Sequence, residues 1–444
     1  MSTRPAGTVA KTAFYIMLLL MVYVSMEAIS AVMFYVDNKS LPSKSQFKVR
    51  QNEIAEVEGY VPRTILNGGS APTILHPYLG YTQDPLNKPR WWPNIDEFGF
   101  GNKSDPVQGK KPDTVIVGVF GGSVAKQVSE AATLVAELRK TSQFRGKEVE
   151  ILSFGAGGYK QPQALLCLVY LISLGGHFDL VINLDGFNEI ALPAVGNLPH
   201  ETFPFYPVYW QARVPGYRQE RIEALGRIQL IKDLRKLMAE RMQSSVIRYS
   251  VTANVFWHYI DTYLDGRINA RRRLLLKETK TRALRDFEKH GPPRDYDDEE
   301  AMYRDLAEKW RFASVEMMHV ANGIGAHYFH ILQPNQYVPG SKTLTDAELA
   351  SAYDFDSIYR RHVERGYIHL RNQARQMAEA GVEFHDMTLI FESSRETVYR
   401  DNCCHLNQHG SGVLGKKIGE VVRDYYSKLE NPDVERSDHR AELP

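Results

Sequence analysis

The stretch TVIVGVFGGS, Thr114 to Ser123, constrains the fold most. A strand with one wet face alternates apolar and polar residues. This one is apolar throughout and stops at Gly-Gly-Ser, so it reads as a strand buried on both faces. A helical stretch follows near Glu130–Arg139, then VEILSFGAGG (Val149–Gly158), a helix near Gln163–Leu174, and DLVINLDGFNE (Asp179–Glu189). Strands alternating with helices at this spacing predict right-handed βαβ units, hence an α/β fold on a parallel sheet. The alternation lapses over about 199–310, where the chain turns helical and charged, as an insertion would. It resumes with AHYFHILQP (Ala326–Pro334), a helix near Ile358–Ala380, GVEFHDM (Gly381–Met387) and a closing helix near Ser411–Tyr426.

Before the first strand, two segments break this pattern. Ala13–Val36 is an apolar run carrying a single charge, Glu27. As a helix at ~1.5 Å per residue it reaches roughly 36 Å, enough to cross a bilayer and longer than the apolar core of a cleaved signal peptide. The expected organisation is a short tail (1–11), a transmembrane anchor (12–36), an irregular juxtamembrane arm (37–111), a main domain (112–430) and a polar tail (431–444). Glu27 should avoid lipid by protonation, by snorkelling, or by pairing with a polar group on a partner helix. Arg4 and Lys11 precede the run, while Lys39, Lys44, Lys48 and Arg50 follow it. Counted alone, these charges favour a cytoplasmic main domain.

A net charge of +1 argues against a nucleic-acid partner, which selects a strong basic excess. The basic stretch Arg267–Arg282 is offset by DYDDEE at Asp295–Glu300 and reads as a solvated helix face. Three cysteines are too few for a disulfide framework. Cys403 and Cys404 adjoin His405, but adjacent cysteines chelate one tetrahedral ion poorly and no second Cys/His cluster completes a site, so neither a metal nor a cofactor is expected.

Ligands of open α/β sheets bind beyond the carboxyl ends of the strands. Three predicted strand ends here carry Gly121-Gly122-Ser123, the Ser153–Tyr159 loop SFGAGGY, and Gly186-Phe187-Asn188-Glu189. Each alone is ordinary: a tight turn, a glycine-rich loop, a helix cap. Together with DNCCHLNQHG (Asp401–Gly410), and in this order, they resemble the four blocks of the SGNH (GDSL-like) hydrolases. Ser123 matches the family serine, Gly155 the glycine, Asn188 the asparagine and His405 the histidine. HPYLGY and DEFGFGN, ahead of the first strand, resemble the lead-in of bacterial membrane-linked members.

The resemblance implies a three-layer αβα sandwich on a parallel, flavodoxin-like sheet. It also implies that Ser123 is the nucleophile and His405 its general base. The Ser123 and Gly155 amides with the Asn188 side chain would form the oxyanion hole. The family places an aspartate three residues before the histidine, where this chain has Asn402. Either Asp401, one residue further back, reaches His405 across a small bulge, or the site is a weakened dyad; Asp386 is a third, more distant carboxylate. The implied activity is a membrane-anchored serine esterase removing O-acyl groups, acetyl first among them, from carbohydrate. Two alternatives stay open: an O-acyltransferase acting on an extracellular polysaccharide, coupled to a membrane-embedded acyl-donor protein, or a degenerate non-catalytic binding domain. Similar anchored members work outside the inner membrane, which sets an extracytoplasmic, periplasmic domain against the flanking charges.

Overall fold

The computed structural model describes residues 6–55, 73–86, 88, 94–214, 219–277 and 287–430. Arg4, part of the arm and the polar tail lie outside them. Helix α1 (Ala6–Asn38) and α2 (Lys44–Ala55) precede a hairpin of β1 (Thr73–His76) and β2 (Gly80–Gln83). Then come β3 (Thr114–Gly121), α3 (Ser123–Ser129), α4 (Ala132–Leu138), β4 (Glu148–Gly155), α5 (Gln163–Ser173), β5 (Leu180–Asp185), α6 (Phe187–Leu192) and a short α7 (Trp210–Arg213). Two long helices, α8 (Gln219–Ser244) and α9 (Val251–Lys277), are followed by short α10 (Phe287–His290), α11 (Glu299–Gly323), β6 (His327–Leu332) and short α12 (Asp346–Ser351). The chain closes with α13 (Arg360–Glu379), β7 (Glu383–Asp386) and α14 (Gln408–Glu430).

The chain forms two compact units, one of 1–65 with 215–278, the other of 66–214 with 279–444. In the second, the described strands β3 to β7 pair in parallel in the order β4-β3-β5-β6-β7. That is the doubly wound, flavodoxin-like order, in which the chain reverses direction at β3. The expected α/β sandwich on a parallel sheet is therefore observed. Strand β6 shows the three layers residue by residue, because side chains alternate across a strand. Phe329 and His327 point to Tyr425 on α14, with ring centroids 5.0 and 5.5 Å away. Tyr328 and His330 point to the other face, where Ser314 of α11 meets both at 3.1 and 2.6 Å. Val115, Val117, Val119 and Phe120 of β3 are all buried, as a central strand covered on both faces requires.

The edge of β4 is closed by a side chain. Asn102 accepts from the Ser153 amide at 2.7 Å and donates to the Ser153 carbonyl at 3.2 Å, imitating a neighbouring strand. Asp96 holds that amide in place at 2.8 Å. The DEFGFGN segment is thus part of the sheet's edge.

The other unit is helical. A small apolar core of Phe34, Phe47, Ala239, Met242, Val255 and Trp257 joins α1, α2, α8 and α9. Arg235 binds Asp261 and Asp265, each at 2.6 Å. Two features depart from the sequence reading. The arm contains a regular helix, α2, whose sequence KSQFKVRQNEIA lacks an apolar stripe and whose buried residues are Phe47 and Gln51, with Arg50 also paired to Asp261 at 3.1 Å. The insertion also divides: α8 and α9 belong to the helical unit, whereas α11 buries Tyr303, Trp310 and Met317 in the sheet unit.

Among the described residues α1 is the helix long and apolar enough to cross a membrane, its mean hydropathy reaching 2.1 over an 18-residue window within Lys11–Asn38. That composition fits an anchor or a signal sequence. Glu27 is engaged within the chain: its carboxylate accepts from the Val251 amide at 2.5 Å, the Thr252 amide at 3.4 Å and the Ser250 hydroxyl, satisfying amides that open α9.

Candidate active site

Strand β3 ends at Gly121, whose φ of +133° only glycine adopts without strain; a Cβ there would also sit 2.1 Å from the Leu184 carbonyl oxygen. Gly122 follows, and a Cβ on it would lie 2.3 Å from Asn188 Nδ2. The second glycine therefore lets the amide of Asn188 reach the backbone just ahead of Ser123. Asn188 is buried in the first turn of α6 and donates to the Tyr159 carbonyl at 2.6 Å. Gly155 packs against the same turn of α3, where a Cβ would come within 2.5 Å of the Lys126 amide and 2.8 Å of the Gly122 carbonyl. The serine, glycine and asparagine blocks thus converge at the carboxyl ends of β3, β4 and β5, although it is Ala156, not Gly155, whose amide bonds the Gly121 carbonyl, at 3.2 Å.

The histidine block reaches this point from a loop closed by an antiparallel bridge between Tyr399 and Leu406. Within it the Arg400 amide donates to the His405 carbonyl at 2.9 Å. Asp401 Oδ1 turns back to accept the amides of Cys403, Cys404 and His405 at 3.1, 3.4 and 3.3 Å. This frees Oδ2 to accept a hydrogen bond from His405 Nδ1 at 2.6 Å. A carboxylate only accepts, so the neutral ring carries its proton on Nδ1 and offers Nε2 as acceptor. The Ser123 hydroxyl donates to that Nε2 at 2.7 Å. Asp401, His405 and Ser123 form one continuous hydrogen-bonded chain. Burial works to raise the Asp401 pKa, but the His405 hydrogen bond and charge, with the loop amides, outweigh it and hold the carboxyl below its ordinary value. Asp386 plays no part in this chain: it accepts from Arg371 Nε at 2.8 Å and from the Thr388 amide at 2.9 Å, fixing its own loop.

Residues with no motif of their own hold the histidine loop. Three consecutive side chains after β6 grip three consecutive carbonyls. Gln336 donates to Asp401 O at 2.9 Å, Tyr337 to Asn402 O at 3.0 Å and Asn335 to Cys403 O at 3.0 Å. Gln127 of α3 bonds both ways with the Leu406 backbone, at 3.1 and 3.2 Å, tying the helix of Ser123 to the loop of His405. Buried Glu348 accepts the Val398 and Tyr399 amides at 2.8 and 3.1 Å and pairs with Lys342 at 3.2 Å. The only sequence signal for these is the amide-rich run Gln333–Tyr337 at a strand end.

Below the site lies a buried polar layer. Asp185 is bound by His330 at 2.8 Å and by the Trp310 indole at 2.6 Å, so His330 is structural. Glu189 accepts the amides of Gly186 at 2.7 Å and Gln161 at 3.0 Å; burial and the charge of Asp185 push its carboxyl well above the ordinary value. Lys160 is fully enclosed, donating to the carbonyls of Tyr206 at 2.6 Å and of Pro204, and burial lowers its ammonium to about 7 against the opposing influence of Glu189.

All three cysteines are free thiols. Cys403 Sγ, Cys404 Sγ and a His405 nitrogen lie within 4.8 Å of one another, a donor set that could hold a soft metal ion. Both His405 nitrogens are already engaged, so an ion there would compete with Asp401 or Ser123. The Cys403 contact and burial hold the Cys404 thiol protonated.

No family model matches the chain. No curated protein matches it either. Among solved structures it is similar to a mutant of Axe2, an acetyl-xylooligosaccharide esterase from Geobacillus Stearmophilus, at 9% identity and a TM-score of 0.30, covering 72% of this chain and 96% of that one.

Proposed function

We propose that the chain is a serine esterase of the SGNH type, anchored in a membrane by α1 and removing O-acyl groups, acetyl in particular, from carbohydrate. The observation that carries this reading is the Asp401–His405–Ser123 chain, with links of 2.6 and 2.7 Å, at the carboxyl ends of a parallel sheet. Ser123 Oγ attacks the ester carbonyl as its proton passes to His405 Nε2, and Asp401 stabilises the imidazolium. The oxyanion is received by the Ser123 and Gly155 amides and the Asn188 side chain. His405 then protonates the leaving sugar oxygen, which departs as the hydroxyl, and water, activated by the same nitrogen, releases the acid from the acyl-serine.

The reach of Asp401 favours this catalytic reading over a non-catalytic binding domain, which a carboxylate out of reach of His405 would favour. A transferase would use the same atoms with a sugar hydroxyl in place of water. Glu27, engaged by its own chain, lends no support to a separate acyl-donor helix at that position. The inner membrane and an extracytoplasmic site remain part of the proposal, on the strength of α1 and the family resemblance.

The test is labelling of the full-length protein by a fluorophosphonate, together with hydrolysis of p-nitrophenyl acetate. Both should occur and both should vanish in Ser123→Ala. An unlabelled, inactive wild-type protein would refute the esterase, and acetyl transfer to an oligosaccharide exceeding hydrolysis would replace it by the transferase.

A further inference from the structure

The helical unit places a polar turn beside the middle of the apolar helix. We propose that the membrane surface crosses α1 at the level of Glu27, and that the turn joining α8 to α9 rests there in the phospholipid headgroup layer. Val246, Ile247 and Tyr249 enter the outermost acyl region, while Arg248 and Lys44 meet the phosphates. The inference rests on the reading of α1 as a membrane anchor.

Helices α1 and α9 lie side by side and run in the same direction. Glu27 meets Ser250 to Thr252, Ser30 lies 3.1 Å from the Thr252 hydroxyl, Phe34 stacks edge-on to His258 at 5.2 Å, and Asp37 accepts from Tyr259 at 2.5 Å. The α8–α9 turn is therefore level with Glu27, and α9 leads away from it toward Asp37. Its four residues are all exposed, Val246 at 82%, Tyr249 at 60% and Ile247 at 49%, with Arg248 among them. The Arg248 guanidinium lies 4.8 Å and the Lys44 ammonium 5.8 Å from the Tyr249 ring centroid. Apolar tips ringed by an aromatic and basic groups suit the membrane interface, where long cations reach the phosphates. The charged groups around the turn are Lys44, Arg241 and Arg248 against Glu27 and Glu240, a basic surplus of one that fits anionic headgroups.

The alternative boundary, at Asp37, puts Glu27 ~15 Å deep, near the bilayer centre. It would carry Arg241, Arg248 and Glu240, all exposed, into hydrocarbon, where ionised groups are least tolerated. With the boundary at Glu27, Lys11 to Met26 supplies ~24 Å of helix, and the Lys11 side chain extends it toward a ~30 Å core. The far face of α1 above Glu27, including Ile29, Val32 and Val36, then stands outside the acyl layer, although it is apolar and exposed. That face separates the two boundaries.

The experiment places one nitroxide at a time on the full-length chain, in a background where Cys167, Cys403 and Cys404 are replaced by alanine. The sites are Leu19→Cys, Val36→Cys and Val246→Cys, with Ile247→Cys as a second probe of the turn. In nanodiscs of zwitterionic and anionic phospholipid, relaxation by oxygen and by a polar nickel chelate reports depth. Residue 19 should be deep, 246 and 247 at the boundary between headgroups and acyl chains, and 36 in water. A lipid-immersed residue 36 with 246 near the bilayer centre overturns the proposal, as does a turn as aqueous as residue 36. A water-exposed residue 19 refutes the anchor itself, an outcome distinct from both.

Discussion

Asp401 stands one residue out of the family's register, so its replacement by asparagine is the sharpest test of the site. Its two oxygens do different work. Oδ1 organises the loop through three amides, and Oδ2 sets the His405 tautomer. Asparagine can keep the first role, because its carbonyl oxygen still accepts the three amides. Its NH₂ group then faces Nδ1, which must become an acceptor and sends the ring proton to Nε2. A protonated Nε2 donates to Ser123 and cannot take its proton. The wrong tautomer costs about 10⁴ in turnover in a comparable triad, or ~5.4 kcal/mol in the barrier. Melting temperature should hardly move, since the loop keeps its acceptor. Asp401→Ala removes both roles, so it should lose the activity and also destabilise by about 1–3 kcal/mol for the amides left without an acceptor. Asn402→Ala is the control. Among the described residues its carbonyl alone is engaged, by Tyr337, so hydrolysis of p-nitrophenyl acetate should stay within a few-fold of wild type. The reasoning is refuted if Asp401→Asn retains more than about a tenth of wild-type turnover, or if Asn402→Ala falls as far as Asp401→Asn does.

Two further outcomes follow from neighbouring residues. In Gly122→Ala the new Cβ would collide with Asn188 Nδ2 and push it off the serine turn, so turnover should fall by about 10²–10³ with the KM little changed, measured by steady-state hydrolysis. Lys160 has a folded-state pKa of about 7, below its unfolded value, so the unfolded chain binds the extra proton between about pH 7 and pH 10. Its contribution to stability therefore rises with pH through that window, by at most about 1.4 kcal/mol per pH unit, and is lowest below pH 7. Thermal unfolding in detergent of wild type against Lys160→Met should show that pH-dependent difference, and parallel curves would refute it.

Much of the sheet unit is legible in the sequence because buried parallel strands are apolar on both faces and end in residues chosen for the turn that follows. Gly121 and Gly122 are readable as a tight turn, but their separate reasons, a positive φ and the approach of Asn188, belong to tertiary contacts. The burial period of α11 is present in Tyr303, Trp310 and Met317, but Glu299, Arg304 and Glu308 on its wetter face make its first half read as part of a charged insertion. Helix α2 has no amphipathic period to read, and apart from Phe34 of α1 its partners lie some two hundred residues away, as in the 3.1 Å bond from Gln51 to Asn254.

By itself the sequence determined the parallel α/β layering, the order of the four motif blocks and the presence of an apolar helix, since each depends on residues close together in the chain. Tertiary structure decided which carboxylate orients His405. Asp401 reaches the ring in a loop whose carbonyls Asn335, Gln336 and Tyr337, some 65 positions earlier, hold and whose ends the Tyr399–Leu406 bridge closes. It likewise found the partner of Glu27 at the start of α9, more than two hundred residues downstream. Neither outcome follows from local propensity, because backbone carbonyls and amides carry no sequence signature and are satisfied by whatever the fold brings beside them.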